Sequence, residues 1–232
     1  MGTDHPRGRH QAELIVRAGR IALLLAVIAG TLAPEGAQAQ LGVPWRKTPT
    51  IVVVATEGDP RIALVDEAIA YWNRVLEDAG SPFRLPAATR SALPIPEQAL
   101  QEMSNSIVGV GRRPFQAPEA LRNLPGDLTI MLAHSAFVSF AGPFDPDGRI
   151  VVGIRGMDVA PLNLPNVARN VIAHEVGHAI GLGHNADPAM LMCGRPAPCR
   201  PPGYASERPH IFPVTDDERR ALLRMYPPSA KP

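Results

Sequence analysis

The chain has 232 residues, enough for one sizeable hydrophobic core and, at roughly 150 residues per domain, not for two. Hydrophobic residues at 45% against charged residues at 19% mark a globular chain, and 26 prolines with 20 glycines impose so many turns that a coiled coil is excluded. With 23 Lys and Arg against 22 Asp and Glu, the formal charge of +1 gives no electrostatic footprint for nucleic acid or anionic lipid, so function must reside in a local site.

Residues 1–39 read as a secretory signal. Arg7, Arg9, Arg17 and Arg20 precede the apolar run Ile21 to Ala29, and Ala37 and Ala39 follow in an Ala-Gln-Ala site that places cleavage after Ala39. The run is well short of the roughly 20 residues that span a bilayer, so no membrane anchor is expected after cleavage. The alternative is an Arg-rich organellar transit peptide or a tail, because the basic region is long for a signal. Removing 1–39 leaves 19 basic and 19 acidic side chains. A secreted or periplasmic protein is expected, with a short linker at 40–47, a single domain over 48–228 and a tail at 229–232.

The β-branched run Thr50 to Ala55 predicts a buried strand. Arg61 to Ala79 places Ile62, Val65, Ile69, Trp72, Val75 and Leu76 at three- and four-residue spacings and ends at Gly80, which predicts a helix packed on that strand. Residues 81–127 are proline-rich and poorly periodic, with short strands expected at Phe83 to Leu85 and Ser106 to Gly111. Asp127 to Ala133 and Arg149 to Ile154 read as further strands joined across the turn Pro143 to Gly148, and a long helix follows. This order suggests a mixed α/β or α+β sheet domain with helices packed on it.

That helix carries the informative segment, His174-Glu175-Val176-Gly177-His178-Ala179-Ile180-Gly181-Leu182-Gly183-His184. His174 and His178 are four residues apart, so on a helix they stand one turn above another and can grip one ion. Glu175 lies beside them without replacing a ligand, where a general base for an attacking water has to be. Six more residues of unbroken helix would turn His184 about 240° away from His178, so the helix must stop first. Gly181 and Gly183 supply the turn, because glycine tolerates the left-handed backbone that follows a helix end. Three imidazoles leave one tetrahedral position of a Zn²⁺ ion open, as in catalytic rather than structural zinc sites.

Past His184, Met190-Leu191-Met192 falls in a turn-prone stretch, and Cys193 and Cys199 follow. Export would place the two cysteines in an oxidising compartment, which predicts a short-loop disulfide. A zinc-binding cysteine pair or reactive thiols are the alternatives, although the spacing is wider than C-x-x-C.

The pattern HEVGHAIGLGH followed by MLM resembles the metzincin zinc proteases, with their H-E-x-x-H-x-x-G-x-x-H signature and downstream Met-turn, and within them the matrixins most. The resemblance implies an α+β, zincin-like domain with a twisted, mostly parallel sheet, two long helices and a short C-terminal helix. It assigns Met192 to the apolar base beneath the zinc, a role Met190 could exchange with it. Val214 to Tyr226 is similar to the matrixin C-terminal helix, and Thr215 with Glu218 three residues on forms a capping box. The likeness spans about residues 48–228. No propeptide is expected between the signal and the first strand. Structural calcium, which matrixins carry, would fall on Asp145 and Asp147, against the plainer reading of a turn. A second zinc is not expected, since His134 is the only histidine near that loop. Cys193 stands where an astacin would place a metal-contacting Tyr just past the Met-turn, which disfavours that subfamily.

Together these readings imply a secreted, monomeric zinc endopeptidase in which His174, His178 and His184 hold the ion and Glu175 is the general base. An extended polypeptide substrate would pair with the strand Arg149 to Ile154, and Cys193 to Phe212, including Tyr204 and His210, would wall the pocket beyond the scissile bond. The alternatives are a zinc-binding interaction module without turnover and a zinc amidase acting on a cell-wall linkage.

Overall fold

The computed structural model of the protein describes residues 43–108, 118–144, 147–194, 199 and 208–228. The expected signal at 1–39, the start of the linker and the tail at 229–232 lie outside them. In chain order the elements are β1 (Ile51–Val54), α1 (Arg61–Asp78), β2 (Thr89–Ser91), α2 (Glu97–Val108), α3 (Glu119–Arg122), β3 (Leu128–Leu132), β4 (Phe140–Pro143), β5 (Ile150–Ile154), α4 (Pro165–Ala179) and α5 (Asp216–Met225). The architecture is α+β.

The five strands form one sheet in the order β2-β1-β3-β5-β4. All neighbours are parallel except β4, which runs antiparallel to β5 with Phe140 opposite Gly153 and Pro143 opposite Ile150. β1, most of β5, and β3 apart from the buried Thr129 are apolar because helices cover both faces of the sheet. Alternate residues point to opposite sides. Val53, Ile130, Val152 and Ile154 pack against α1 and α4, whereas Val54, Met131 and Val151 pack under Leu100 and Met103 of α2 and Leu121 of α3.

The apolar stripe of α1 is buried as its spacing predicts, with Val65, Trp72 and Leu76 fully enclosed. The Trp72 indole N–H donates to the Ala173 carbonyl at 2.7 Å, fastening α1 to the middle of α4. The capping box on α5 is present: Glu218 N–H donates to Thr215 Oγ1 at 3.1 Å, and Thr215 N–H donates to Glu218 Oε2 at 2.7 Å.

Four expectations need correction. Ser106 is helical, at the end of α2, because Ala99, Leu100 and Met103 follow a helical repeat that buries one face; residues 109–111 lie outside the described set. Phe83 to Leu85 is in no strand, and the backbone of Leu85 bonds instead to the side chain of Asn73, at 2.8 and 2.9 Å. The turn at Pro143 to Gly148 joins β4, not β3, to β5, with Phe144 N–H donating to Arg149 O at 3.0 Å. Finally, β5 has β3 on one side and β4 on the other, so Arg149 to Ile154 offers no edge to an incoming peptide; on that side the edge belongs to β4.

Candidate metal centre

The site is built where α4 ends. Gly181 has φ of +101°, its N–H donates to His178 O at 2.9 Å, and Leu182 N–H donates to Gly177 O at 3.1 Å. This double closure is the Schellman arrangement, and the left-handed residue turns the chain sharply away from the helix axis. The next two carbonyls are satisfied from far along the chain: Trp45 Nε1 donates to Ala179 O at 2.9 Å and Tyr226 Oη donates to Ile180 O at 3.0 Å. The helix therefore stops without orphaned acceptors.

The turn returns His184 to the helix. Its Nε2 lies 3.1 Å from His174 Nε2 and 3.0 Å from His178 Nε2. His174 Nδ1 donates to Leu191 O at 2.8 Å and His178 Nδ1 donates to Leu182 O at 2.7 Å. A carbonyl only accepts, so each of these Nδ1 atoms carries its ring's proton and each Nε2 presents a lone pair. Burial, before any neighbour effect, pushes His174 down to about 4 and His178 and His184 below the usual histidine value, so the rings are neutral at pH 7.

Neutral His184 can offer one proton to two facing lone pairs, which leaves at least one close nitrogen pair without a hydrogen between them. A cation among the three rings removes that conflict. Ligands on a tetrahedral zinc stand about 3.3 Å apart at bond lengths of about 2.0–2.1 Å, near the spacings found here. Among the described residues the triad is the only grouping of three or more His, Cys, Asp or Glu whose ligand atoms could share an ion.

Glu175 follows His174 on the same turn and is 7% exposed. Its carboxylate has no hydrogen-bond partner among the described residues, and burial alone pushes it up to about 8. The carboxylate oxygens are not sealed in the interior, since the only buried side-chain polar atom without a partner among the described residues is Arg155 Nε. A largely buried carboxyl beside a triad of lone pairs is a candidate for acid–base chemistry.

Met192 is fully buried beneath α4, and Met190 is only partly buried. A Cβ added at Gly177 would stand 2.5 Å from Met192 Sδ and 2.6 Å from Trp72 Cζ2, so the glycine between the two helical histidines lets Met192 approach the helix backbone. Gly194 does the same for the third histidine: a Cβ there would stand 2.0 Å from His184 Cγ. Cys193 and Cys199 form a disulfide, as expected, which leaves them unavailable as zinc ligands or free thiols. Of the two aspartates expected to take calcium, Asp145 lies outside the described residues, and Asp147 is exposed and belongs to no group of three or more candidate ligands among the described residues.

Sequence reasoning missed Gly194, the role of Gly177, and the Leu191 and Leu182 carbonyls that orient two of the rings. A glycine inside a helix costs about 1 kcal/mol relative to alanine, and that unfavourable choice at Gly177 was a readable signal. Nothing local marked the others. No family model matches the chain. The fold and site define an α+β protein with a three-histidine group able to hold a metal ion.

Proposed function

We propose that this chain is an exported zinc-dependent endopeptidase of the matrixin-like metzincin kind. The observation that carries the reading is the convergence of the ring nitrogens of His174, His178 and His184, with Glu175 next to the first of them on the helix. His174, His178 and His184 would hold the zinc, through the nitrogens that Leu191 O and Leu182 O leave free on the first two rings. Bound there, zinc would supply Lewis-acid chemistry, making a water more acidic and polarising a peptide carbonyl. Glu175 would accept the proton of the attacking water and return it to the departing amine.

Substrate would lie extended along β4, an edge strand of the sheet among the described residues and an element against which α4 packs. Export is supported by the signal-like N-terminus and is compatible with the Cys193–Cys199 bridge. The test is hydrolysis of denatured casein by the wild type, by a chelator-treated sample and by Glu175→Ala. The variant should keep wild-type zinc content and lose about 10²–10⁴ in rate, the share a positioned acid–base group contributes. A wild type that holds zinc and cleaves no unfolded protein would refute the peptidase reading; cleavage of cell-wall fragments alone would favour an amidase.

A further inference from the structure

His174 and His178 are each fixed by a hydrogen bond at Nδ1, whereas His184 Nδ1 has no such partner among the described residues. The third ring must therefore be held by its own backbone and by what that backbone touches. Asn185 follows it directly, and all of its polar groups are engaged. Its N–H donates to Met192 O at 2.9 Å and its carbonyl accepts from Gly194 N–H at 3.1 Å. Its Oδ1 accepts from Asp187 N–H at 2.8 Å, and its Nδ2 donates to Glu218 Oε1 at 2.7 Å.

Glu218 is fully buried and makes no ion pair among the described residues. One oxygen receives Asn185, and the other receives the Thr215 N–H of the α5 capping box. A carboxylate held in the interior by hydrogen bonds alone depends on each of them. The contact thus ties the first turn of α5 to the residue next to the third imidazole, 33 positions earlier in the chain.

We infer that Asn185 and Glu218 are a positioning pair for His184, so that docking of α5 sets the metal affinity of the triad. This rests on the triad being a metal centre and is independent of the reaction it performs. The pair touches no reacting atom. It acts by holding the backbone at Asn185, and through that the ring at His184, in the place where His174 and His178 can share an ion with it.

The test is zinc affinity of the full chain at pH 7 by competition with a chromogenic chelator, with the Co²⁺ absorption spectrum as a second readout. Asn185→Asp sets two carboxylates face to face, and Glu218→Gln leaves one side-chain oxygen for two donors, Asn185 Nδ2 and Thr215 N–H, so one of them meets an N–H instead. Each should weaken zinc binding about 10- to 100-fold, as loss of an outer partner of a metal ligand does. The double variant, Asn185→Asp with Glu218→Gln, reverses the polarity of the bond. The amide introduced at position 218 donates to the carboxylate introduced at position 185. That carboxylate still accepts from the Asp187 N–H, and the amide oxygen at 218 still closes the capping box. The double variant should recover zinc affinity to within about threefold of wild type, together with the wild-type Co²⁺ spectrum, a rescue that loss of helix packing alone would not produce.

Single variants that bind zinc as tightly as wild type, or a double variant no better than the weaker single, would overturn the inference. If a single variant does not fold, the double decides by its own zinc affinity. A wild type that takes up no zinc overturns the pair and the metal centre together; failure to cleave casein counts against the proposed activity alone.

Discussion

Gly194→Ala tests the geometry of the centre more sharply than removal of a ligand. The added Cβ would sit 2.0 Å from His184 Cγ and 2.3 Å from Nδ1 and Cδ2, whereas non-bonded carbons rest at about 3.5–4.0 Å. Either the ring or the backbone must retreat by about 1.5 Å. The backbone is the stiffer of the two, since Gly194 N–H is bonded to Asn185 O and the preceding residue is in a disulfide. The ring is exposed on its outer side and is free to swing into water. Metal–ligand distances tolerate about 0.2 Å, so the displaced imidazole no longer contributes. Disturbing only the partner of a ligand costs about 10- to 100-fold in metal affinity, and loss of the ligand itself should cost at least the upper figure. At a zinc concentration of 100 times the wild-type Kd, ligand linkage stabilises the wild type by about 2.7 kcal/mol, and a hundredfold weaker variant by about 0.4 kcal/mol. The difference is worth roughly 5–9 °C in the zinc-induced rise of Tm for a domain of this size. Scanning calorimetry with zinc and with chelator separates the two contributions. The chelated variant should melt close to the chelated wild type, because the ring moves into solvent rather than into the core. A variant that binds zinc as the wild type does would refute the packing of His184 on Gly194.

Gly177→Ala gains helix propensity of about 1 kcal/mol but drives a Cβ to within 2.6 Å of both Met192 and Trp72, an overpacking that costs about 1–3 kcal/mol. Urea unfolding in chelator should show a net loss; a more stable variant would mean that Met192 and Trp72 give way freely. In the chelated protein the histidines titrate lower folded than unfolded, so the unfolded chain binds protons first as pH falls below about 6.5 and stability declines. With His174 pushed down to about 4, that residue alone accounts for about 3 kcal/mol between pH 6.5 and 4. Glu175, pushed up to about 8, has the opposite sign: its proton is kept in the folded state and lost in the unfolded one, so it offsets one histidine between about pH 4.5 and 6.5 and acts alone above that, where stability declines by about 2 kcal/mol from pH 6.5 to 8. A urea midpoint that does not fall between pH 6.5 and 8 would contradict the burial of Glu175.

What was legible in the sequence was what short-range rules govern. The four-residue step from His174 to His178 follows from the helix period, and the return of His184 follows from a glycine at the position where a Schellman turn needs one. Thr215 and Glu218 announced the start of α5 by the same kind of local chemistry. β4 was not legible, because Phe-Ala-Gly-Pro has no strand-like alternation; pairing with β5 imposes the extended form, and the proline is tolerated at an edge. The helical spacing of Ala99, Leu100 and Met103 was present but obscured by the prolines around it. The contacts Trp72 to Ala173, Gly194 to His184 and Asn185 to Glu218 join segments whose meeting no local pattern encodes. The second of these spans only ten residues, yet it depends on a loop folding back between them.

The same burial shifts the two kinds of titratable group at the centre in opposite directions, and both shifts favour the same occupant. Low polarity keeps the imidazoles unprotonated, so at pH 7 their lone pairs are available without a proton having to leave. It also keeps Glu175 protonated, and a cation among the neighbouring rings would draw that carboxyl back toward its ionised form. Only in that form can it accept a proton from water. Glu175 supplies no ligand to the triad, so Glu175→Ala separates the two proposed roles: zinc content should stay at the wild-type level while the rate falls.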